Sequence, residues 1–341
     1  MKVLITGANG FIGSHVTRAF HKARTWEIGA MVRPGADLRF LDRYPVRLLE
    51  GELPDSLPPK ETLADYDRVV HVAGKVSDWG DYRDFFRANV LGVLRLFDAV
   101  PEKTGFIYIS SNAVMGEEDN PRAKDETAPY LPVLDYALES VLPSAMNHYR
   151  LTKALAEMML MKRAKERGSR LTIVRPVWVY GPREFHAGPY EYCKTVASGL
   201  PVMPGSSNNR FHVVYAGDLA KIVRGIATDL NEGVHVYNVG QPEAPLMSDY
   251  WQAFCTAMNR RKPTNIPKAL LYPAAFAMEA IWSFLGIKNP PLFTRARVYM
   301  FYANNVYDVR KITRDYPVEQ FTPLSVGTKR TVRWWRMNGY L

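Results

Sequence analysis

The sequence predicts an α/β fold: a doubly wound parallel sheet with a smaller C-terminal lobe. Three observations predict it. A β-rich run, Val3-Leu4-Ile5, passes straight into glycines at 7, 10 and 13 and then into a segment with an apolar helical face, Phe11, Ile12, Val16 and Phe20. Strand-like and helix-like segments alternate through the first two thirds of the chain, the pattern of βαβ units. After Gly181 the rhythm breaks into Pro- and Gly-rich loops, Gly181–Pro189 and Gly199–Asn209, between short helices.

The elements follow in order. Apolar runs rich in β-branched residues predict strands at Lys2–Thr6, Glu27–Val32, Val46–Glu50, Asp67–Val72, Gly105–Ser110, Leu171–Val174 and Val234–Val239. Helices fit between them, notably Asp81–Ala99 and Asn147–Arg167. Residues 1–180, with a return segment at 210–240, form the expected sheet domain, and 181–209 and 241–341 the second lobe. The long polar segment Met115–Asn147 is either a surface loop or a lid.

The chain has 341 residues, 47% of them hydrophobic and 23% charged, as in an ordinary globular protein. A net charge of +10 favours anionic ligands or surfaces. Nucleic acid is not expected, because no basic tract interleaved with aromatics and no zinc-finger spacing occurs. Cys193 and Cys255 fit no metal or redox spacing and read as buried, reduced thiols. No ligand spacing links the seven histidines, and no metal is expected. With the first strand starting at Lys2, no leader is expected and a cytoplasmic protein is.

The glycines carry the first functional signal. Gly7 allows a sharp turn, Gly10 lets a pyrophosphate approach the backbone, and Gly13 lets helix and strand pack closely. The helix start then offers N–H groups to phosphates. A Rossmann-type dinucleotide site follows from that strand–turn–helix context. At the end of the second strand, where an NAD site normally carries an acid, the chain has Arg33, and the next acid is Asp37. A guanidinium suits a 2′-phosphate, so NADP(H) is preferred and NAD(H) is the alternative.

Chemistry is expected from Tyr149 and Lys153, one helical turn apart on one face. A neighbouring ammonium favours a phenolate and would lower the tyrosine pKa toward neutrality. Ser110 and Ser111 close the fifth strand, where a hydroxyl can hydrogen-bond a substrate oxygen or simply cap the junction. Asn89 lies in mid-helix, where asparagine is unfavourable, so it should have a fixed partner. His148 points about 100° away from Tyr149 and reads as structural or pocket-lining. Lys75 and Trp79 could reach the ligand or pack a loop.

Together these residues resemble the extended short-chain dehydrogenase/reductase family. The resemblance spans Thr6–Gly13, His71–Gly74, Asn89–Gly92, Ser110-Ser111, Tyr149–Lys153, Arg175–Pro182, Val213–Leu219 and Tyr237–Gly240. Val76–Gly80 and the tail Pro291–Arg295, Tyr307-Asp308 and Trp334-Trp335 look like the branch of 3β-hydroxysteroid dehydrogenases and dihydroflavonol-type reductases. The resemblance implies Tyr149 as general acid/base, Lys153 as the residue that lowers its pKa and binds the ribose, and Ser111 as the group that orients a carbonyl. It implies cofactor contacts at Gly7, Asn9, Gly10, Phe11, Ile12, Gly13, Arg33, Ala73, Lys75, Asn89, Pro176 and Val179. Glu52-Leu53 stands where the family has Asp-Leu beside the adenine. Substrate contacts fall on Trp79, Ser111, Asn112, Tyr180 and Arg210, and a homodimer is implied.

The expected activity is reduction of a hydrophobic or amphipathic ketone, or oxidation of the alcohol. One alternative is a nucleotide-sugar epimerase or dehydratase holding NAD, with Arg210 on the diphosphate. Another is a cofactor-sensing protein without turnover, against which stand the intact Tyr149 and Lys153. Ala269–Ile287 is apolar except for Glu279 and is bracketed by Lys268 and Lys288. It reads as a lobe helix or as a peripheral membrane contact, the glutamate weighing against a span.

Overall fold

The computed structural model describes residues 1–117, 119–120, 122–184, 188–199, 202–205 and 208–341; parts of the loops Gly181–Pro189 and Gly199–Asn209, His186 among them, lie outside these. The strands are β1 (Lys2–Thr6), β2 (Glu27–Val32), β3 (Arg47–Glu50), β4 (Arg68–His71), β5 (Gly105–Ile109), β6 (Leu171–Pro176), β7 (Trp178–Tyr180), β8 (Val202–Met203), β9 (Val213–Tyr215), β10 (Val234–Val239) and β11 (Thr264–Asn265). The helices of the sheet domain are α1 (Phe11–Ala23), α2 (Lys60–Ala64), α3 (Tyr82–Phe85), α4 (Gly92–Ala99) and α5 (Ala145–Arg167). Then come α6 (Pro189–Ala197), α7 (Ala216–Thr228), α8 (Met247–Met258), α9 (Lys268–Phe284), α10 (Arg295–Tyr302), α11 (Arg310–Asp315) and α12 (Leu324–Met337).

Seven strands form one parallel sheet in the order β10-β6-β5-β4-β1-β2-β3. This is the Rossmann-type α/β fold. The strand order reverses between β1 and β4, and ligands bind outside the carboxyl ends of strands at such a point. Alternation along the strands feeds two cores. Val3 and Ile5 point to one face, with Val16, Phe20 and Val223 of α1 and α7. Leu4 points to the other, with Val93, Phe106 and Leu160. Tyr307, Val309, Ile312 and Tyr316 join the first of these cores, so 307–316 belongs to the sheet domain although it follows the lobe in sequence.

The lobe has its own aromatic core, including Tyr192, Tyr250, Trp251, Phe254 and Trp335. Cys193 and Cys255 lie in it, free and buried. One further difference from the sequence reading stands out. The expected helix Asp81–Ala99 is split by a π-helical turn, Phe86–Leu91, between α3 and α4. Asn89 sits in that turn with its side chain committed to the neighbouring loop, the kind of local departure that π-turns accommodate at functional sites.

The segment Met115–Asn147 is strapped down at many points. Leu134 N donates to Asn147 Oδ1 (3.0 Å) and Asn147 Nδ2 to the Leu134 carbonyl (2.8 Å). Tyr130 donates to Glu157 on α5 (2.8 Å). Arg150, also on α5 and fully buried, pairs with Glu117 (2.7 Å) and donates to Tyr136 (2.8 Å).

Candidate active site

The glycine turn is built as the spacing requires. Gly7 takes the left-handed region at φ +62°, and a Cβ there would sit 2.9 Å from the Ala73 backbone across the strand-order reversal. A Cβ at Gly13 would fall 2.0 Å from the Gly7 carbonyl oxygen, so α1 can start this close to β1 only with glycine. Gly10 is the N-cap of α1 and offers no capping side chain, and no acid occupies the first turn. The first-turn N–H groups at Phe11, Ile12 and Gly13 are therefore free of a capping side chain, as an anion site needs. These features fit a bound dinucleotide pyrophosphate.

The other expected cofactor residues line the same edge. Ala73 N donates to Thr6 Oγ1 (3.2 Å), locking the turn after β4 to the end of β1. Asn89 has the fixed partner its position demands: it accepts from Lys75 N (2.8 Å) and donates to the Lys75 carbonyl and to Thr152 Oγ1, both at 3.1 Å. Its effect is to hold the Lys75 backbone against α5. The Lys75 ammonium pairs with Asp84 (2.8 Å) and lies over the Phe85 ring. Arg33 is exposed at the end of β2, its guanidinium without a partner among the described residues. Asp37, the nearby acid, is engaged by Arg39, and Asn9 Nδ2 donates to the Asp37 carbonyl (3.2 Å). Glu52 is exposed just past β3, with Leu53 half-buried behind it. Pro176 ends β6, and Val179 is half-buried in β7.

Tyr149 and Lys153 project from α5, and both are buried. Ser111 caps the short 3₁₀ turn Asn112–Met115 by accepting from Ala113 N (3.2 Å). It also lies near enough to the Tyr149 phenol to favour the ionised form. Of the two roles weighed for Ser111, substrate hydrogen bond and cap, the cap is present. Asn112 is buried in the same turn.

The electrostatics depart from expectation. Burial pushes the Tyr149 phenol up to about 12; the nearby Ser111 hydroxyl opposes this only in part. Lys153 does not offset it, because its ammonium donates to the Ile109 carbonyl (3.0 Å) and lies over the Tyr108 ring. Burial also draws Lys153 down to about 8, against the pull of Glu157 one turn further on. Desolvation, rather than the Tyr–Lys pair, sets both protonation states here.

Sequence reasoning missed Glu157 and its partner. Glu157 is fully buried and paired with Arg175 of β6 at 2.6 Å. Tyr149, Lys153 and Glu157 recur every four residues, so the helical face that marked the first two also pointed at the third.

The expected substrate residues divide. Tyr180 is fully buried against Tyr215, Tyr250 and Phe254, so it is core of the lobe and is not open to a substrate, a correction that its place in a β-strand run could not reveal. The Arg210 guanidinium donates to the Ala244 carbonyl (2.9 Å). Trp79 Nε1 donates to the Ile287 carbonyl (2.8 Å), and next to it buried Asp78 pairs with Arg297 of α10 (2.6 Å). Loop packing therefore accounts for the Trp79 indole N–H. His148 packs edge-on against Tyr82 and Phe85. Glu279 is buried and paired with Arg295, which also donates to the Ala137 and Leu142 carbonyls. The lone acid of the apolar stretch thus closes a clamp between the lobe and the segment that leads into α5.

A glycine turn at the strand-order reversal, together with buried Tyr149 beside Ser111 and a lysine one turn on, defines an NAD(P)-dependent enzyme of the short-chain dehydrogenase/reductase type. The chain belongs to the NAD dependent epimerase/dehydratase family, whose profile matches residues 3–240. It is 22% identical to a 2-alkyl-3-oxoalkanoate reductase of Shewanella oneidensis over 96% of this chain and 84% of that protein. It is similar in fold to the crystal structure of gox2253, with TM-score 0.77, 25% identity and 99% of both chains covered. It is also similar in fold to a UDP-glucuronic acid 4-epimerase from Bacillus cereus in complex with NAD, with TM-score 0.75, 19% identity and 99% of both chains covered.

Proposed function

We propose that this chain is an NADP(H)-dependent reductase of a hydrophobic or amphipathic ketone. The observation that carries the reading is that Tyr149 is buried beside the half-buried Ser111 hydroxyl, with buried Lys153 one turn along α5. A bound reduced nicotinamide would supply the hydride for the carbonyl carbon. Tyr149 gives its proton to the carbonyl oxygen and Ser111 donates a hydrogen bond to that oxygen. A phenol held near 12 enters this step protonated, which suits the reductive direction. Lys153, drawn down to about 8 by burial, stands one turn along the same helical face. Asn89 keeps the Lys75 turn in place beside it. Gly7, Gly10 and Gly13 would hold the pyrophosphate, Glu52 and Leu53 the adenine, and Arg33 the 2′-phosphate. That Asp37 is already occupied by Arg39 supports NADP(H) over NAD(H).

A relative whose name describes a 3-oxo acid with an added alkyl chain supports both the reaction and an apolar acceptor. The nucleotide-sugar reading has support in fold likeness to a solved epimerase. It asks Arg210 to hold a diphosphate, and that guanidinium is engaged with the Ala244 carbonyl.

The test is turnover of alkyl ketones with each reduced cofactor, in the natural chain and in Arg33→Asp. The natural chain should prefer NADPH, and the substitution, which replaces a cation by an anion beside the 2′-phosphate, should reverse the preference by about tenfold or more. An unchanged NADPH-to-NADH ratio would remove Arg33 from the cofactor site. No oxidation of either cofactor by any ketone would end the reductase reading.

A further inference from the structure

We infer that α9 and the two loops it clamps form a docking face for an anionic lipid surface. α9 buries only Leu271, Ala275 and Glu279, which recur every four residues. The opposite stripe, Leu270, Pro273, Ala274, Ala277, Ile281 and Phe284, is exposed and wholly apolar. Leu285 extends it, and Phe284 is 90% exposed. Further exposed apolar residues lie on the clamped loops. Val76 stands beside the Asp78–Trp79 contact, and Val133, Leu138 and Val141 lie in the segment held by Arg295 and Tyr272. Among the described residues, every exposed Val, Leu, Ile and Phe except Leu48 falls in 76, 131–141 or 270–285. Scattered apolar residues are normal on a surface; this degree of concentration is not.

Charge selects the occupant. Residues 260–302 hold seven Lys or Arg and one acid, Glu279, which is buried against Arg295. Arg260, Arg261, Lys268 and Lys288 are exposed, and Lys268 and Lys288 stand at the two ends of the apolar stripe. Asp81 and Asp135 are the exposed acids of the adjoining loops, too few to cancel the cations. No helix among the described residues is long and apolar enough to cross a membrane. A one-sided apolar helix with flanking cations lies in the headgroup plane instead, its apolar face in the acyl boundary. A second copy of this strongly basic chain would bring like charges together; an anionic lipid surface complements them. The docking does not rest on the reductase reading.

Co-flotation of the full chain with phosphatidylcholine vesicles, with and without phosphatidylglycerol, tests this. Binding should be strong with phosphatidylglycerol, weaker without it, and reduced by salt. Phe284→Ser with Leu285→Ser should lower partitioning by about tenfold or more, since burial of each side chain is lost. Lys268→Glu with Lys288→Glu should lower it on anionic vesicles only. All four positions are exposed, so the melting temperature should hold in every variant and serves as the folding control. No flotation of the natural chain, or equal flotation of the variants, overturns the proposal. So does concentration-dependent self-association without lipid that Phe284→Ser abolishes, since a second copy would then cover the stripe.

Discussion

Replacement of Tyr149 by Phe should lower turnover by about 100- to 10,000-fold while leaving the melting temperature near that of the natural chain. The change deletes one hydroxyl and little volume. The ring stays packed with Phe85, Ala113 and Ala145. What disappears is the only group proposed to move a proton at the substrate oxygen. Burial holds that group near 12, so the loss should appear across the neutral range and should not be recovered by raising the pH a unit or two. Cofactor affinity, measured by nicotinamide fluorescence, should change little. Turnover within a few-fold of the natural chain would show that another residue protonates the substrate.

The largest structural effect is expected at Arg295. This guanidinium is fully buried, pairs with Glu279, and donates to the Ala137 and Leu142 carbonyls, while its backbone N–H also donates to Glu279 (3.0 Å). Arg295→Ala leaves a buried carboxylate without its counter-charge and two carbonyls without their donor. Breaking such a pair from one side typically costs about 3–5 kcal/mol. The 137–142 segment should loosen with it, so the Michaelis constant for a bulky ketone should rise more than turnover falls. Denaturant unfolding and steady-state kinetics measure both. Replacing Arg295 and Glu279 together by methionine should recover much of the stability, because no unpaired charge remains. A loss below about 1 kcal/mol in Arg295→Ala would mean that water, not Arg295, satisfies Glu279.

What the chain discloses before folding depends on how local the signal is. The glycine turn and the Tyr149–Lys153 pair are legible because their spacing is fixed by one turn or one helix. Asn89 is legible by its misfit: a polar amide in mid-helix implies a partner, though not that the partner is the Lys75 backbone or that the helix yields a π-turn to reach it. The pairs Glu157–Arg175, Glu117–Arg150, Glu279–Arg295 and Asp78–Arg297 join residues from 16 to 219 positions apart, and spacing cannot announce them. Glu279 shows the limit best. In sequence it is an interruption in an apolar run; in the fold it is the buried half of a clamp. Tyr180 fails for the opposite reason, since a motif position beside the site turns into the lobe's aromatic core. The tyrosine pKa is also illegible, because it follows from burial rather than from the neighbouring lysine.

The central claim, net hydride transfer to an apolar ketone, is tested most directly by the fate of a label. Reduced nicotinamide cofactor carrying deuterium at the transferred position would be incubated with the chain and a series of alkyl ketones, and in parallel with uridine, guanosine and thymidine diphosphate sugars. Mass spectrometry should find the deuterium on the carbinol carbon of the product alcohol, one cofactor consumed for each alcohol formed, and affinity tightening with alkyl length at about 25 cal/mol per Å² buried. Unlabelled ketones recovered unchanged, with a diphosphate sugar interconverted and the cofactor back in its starting state, would contradict the account.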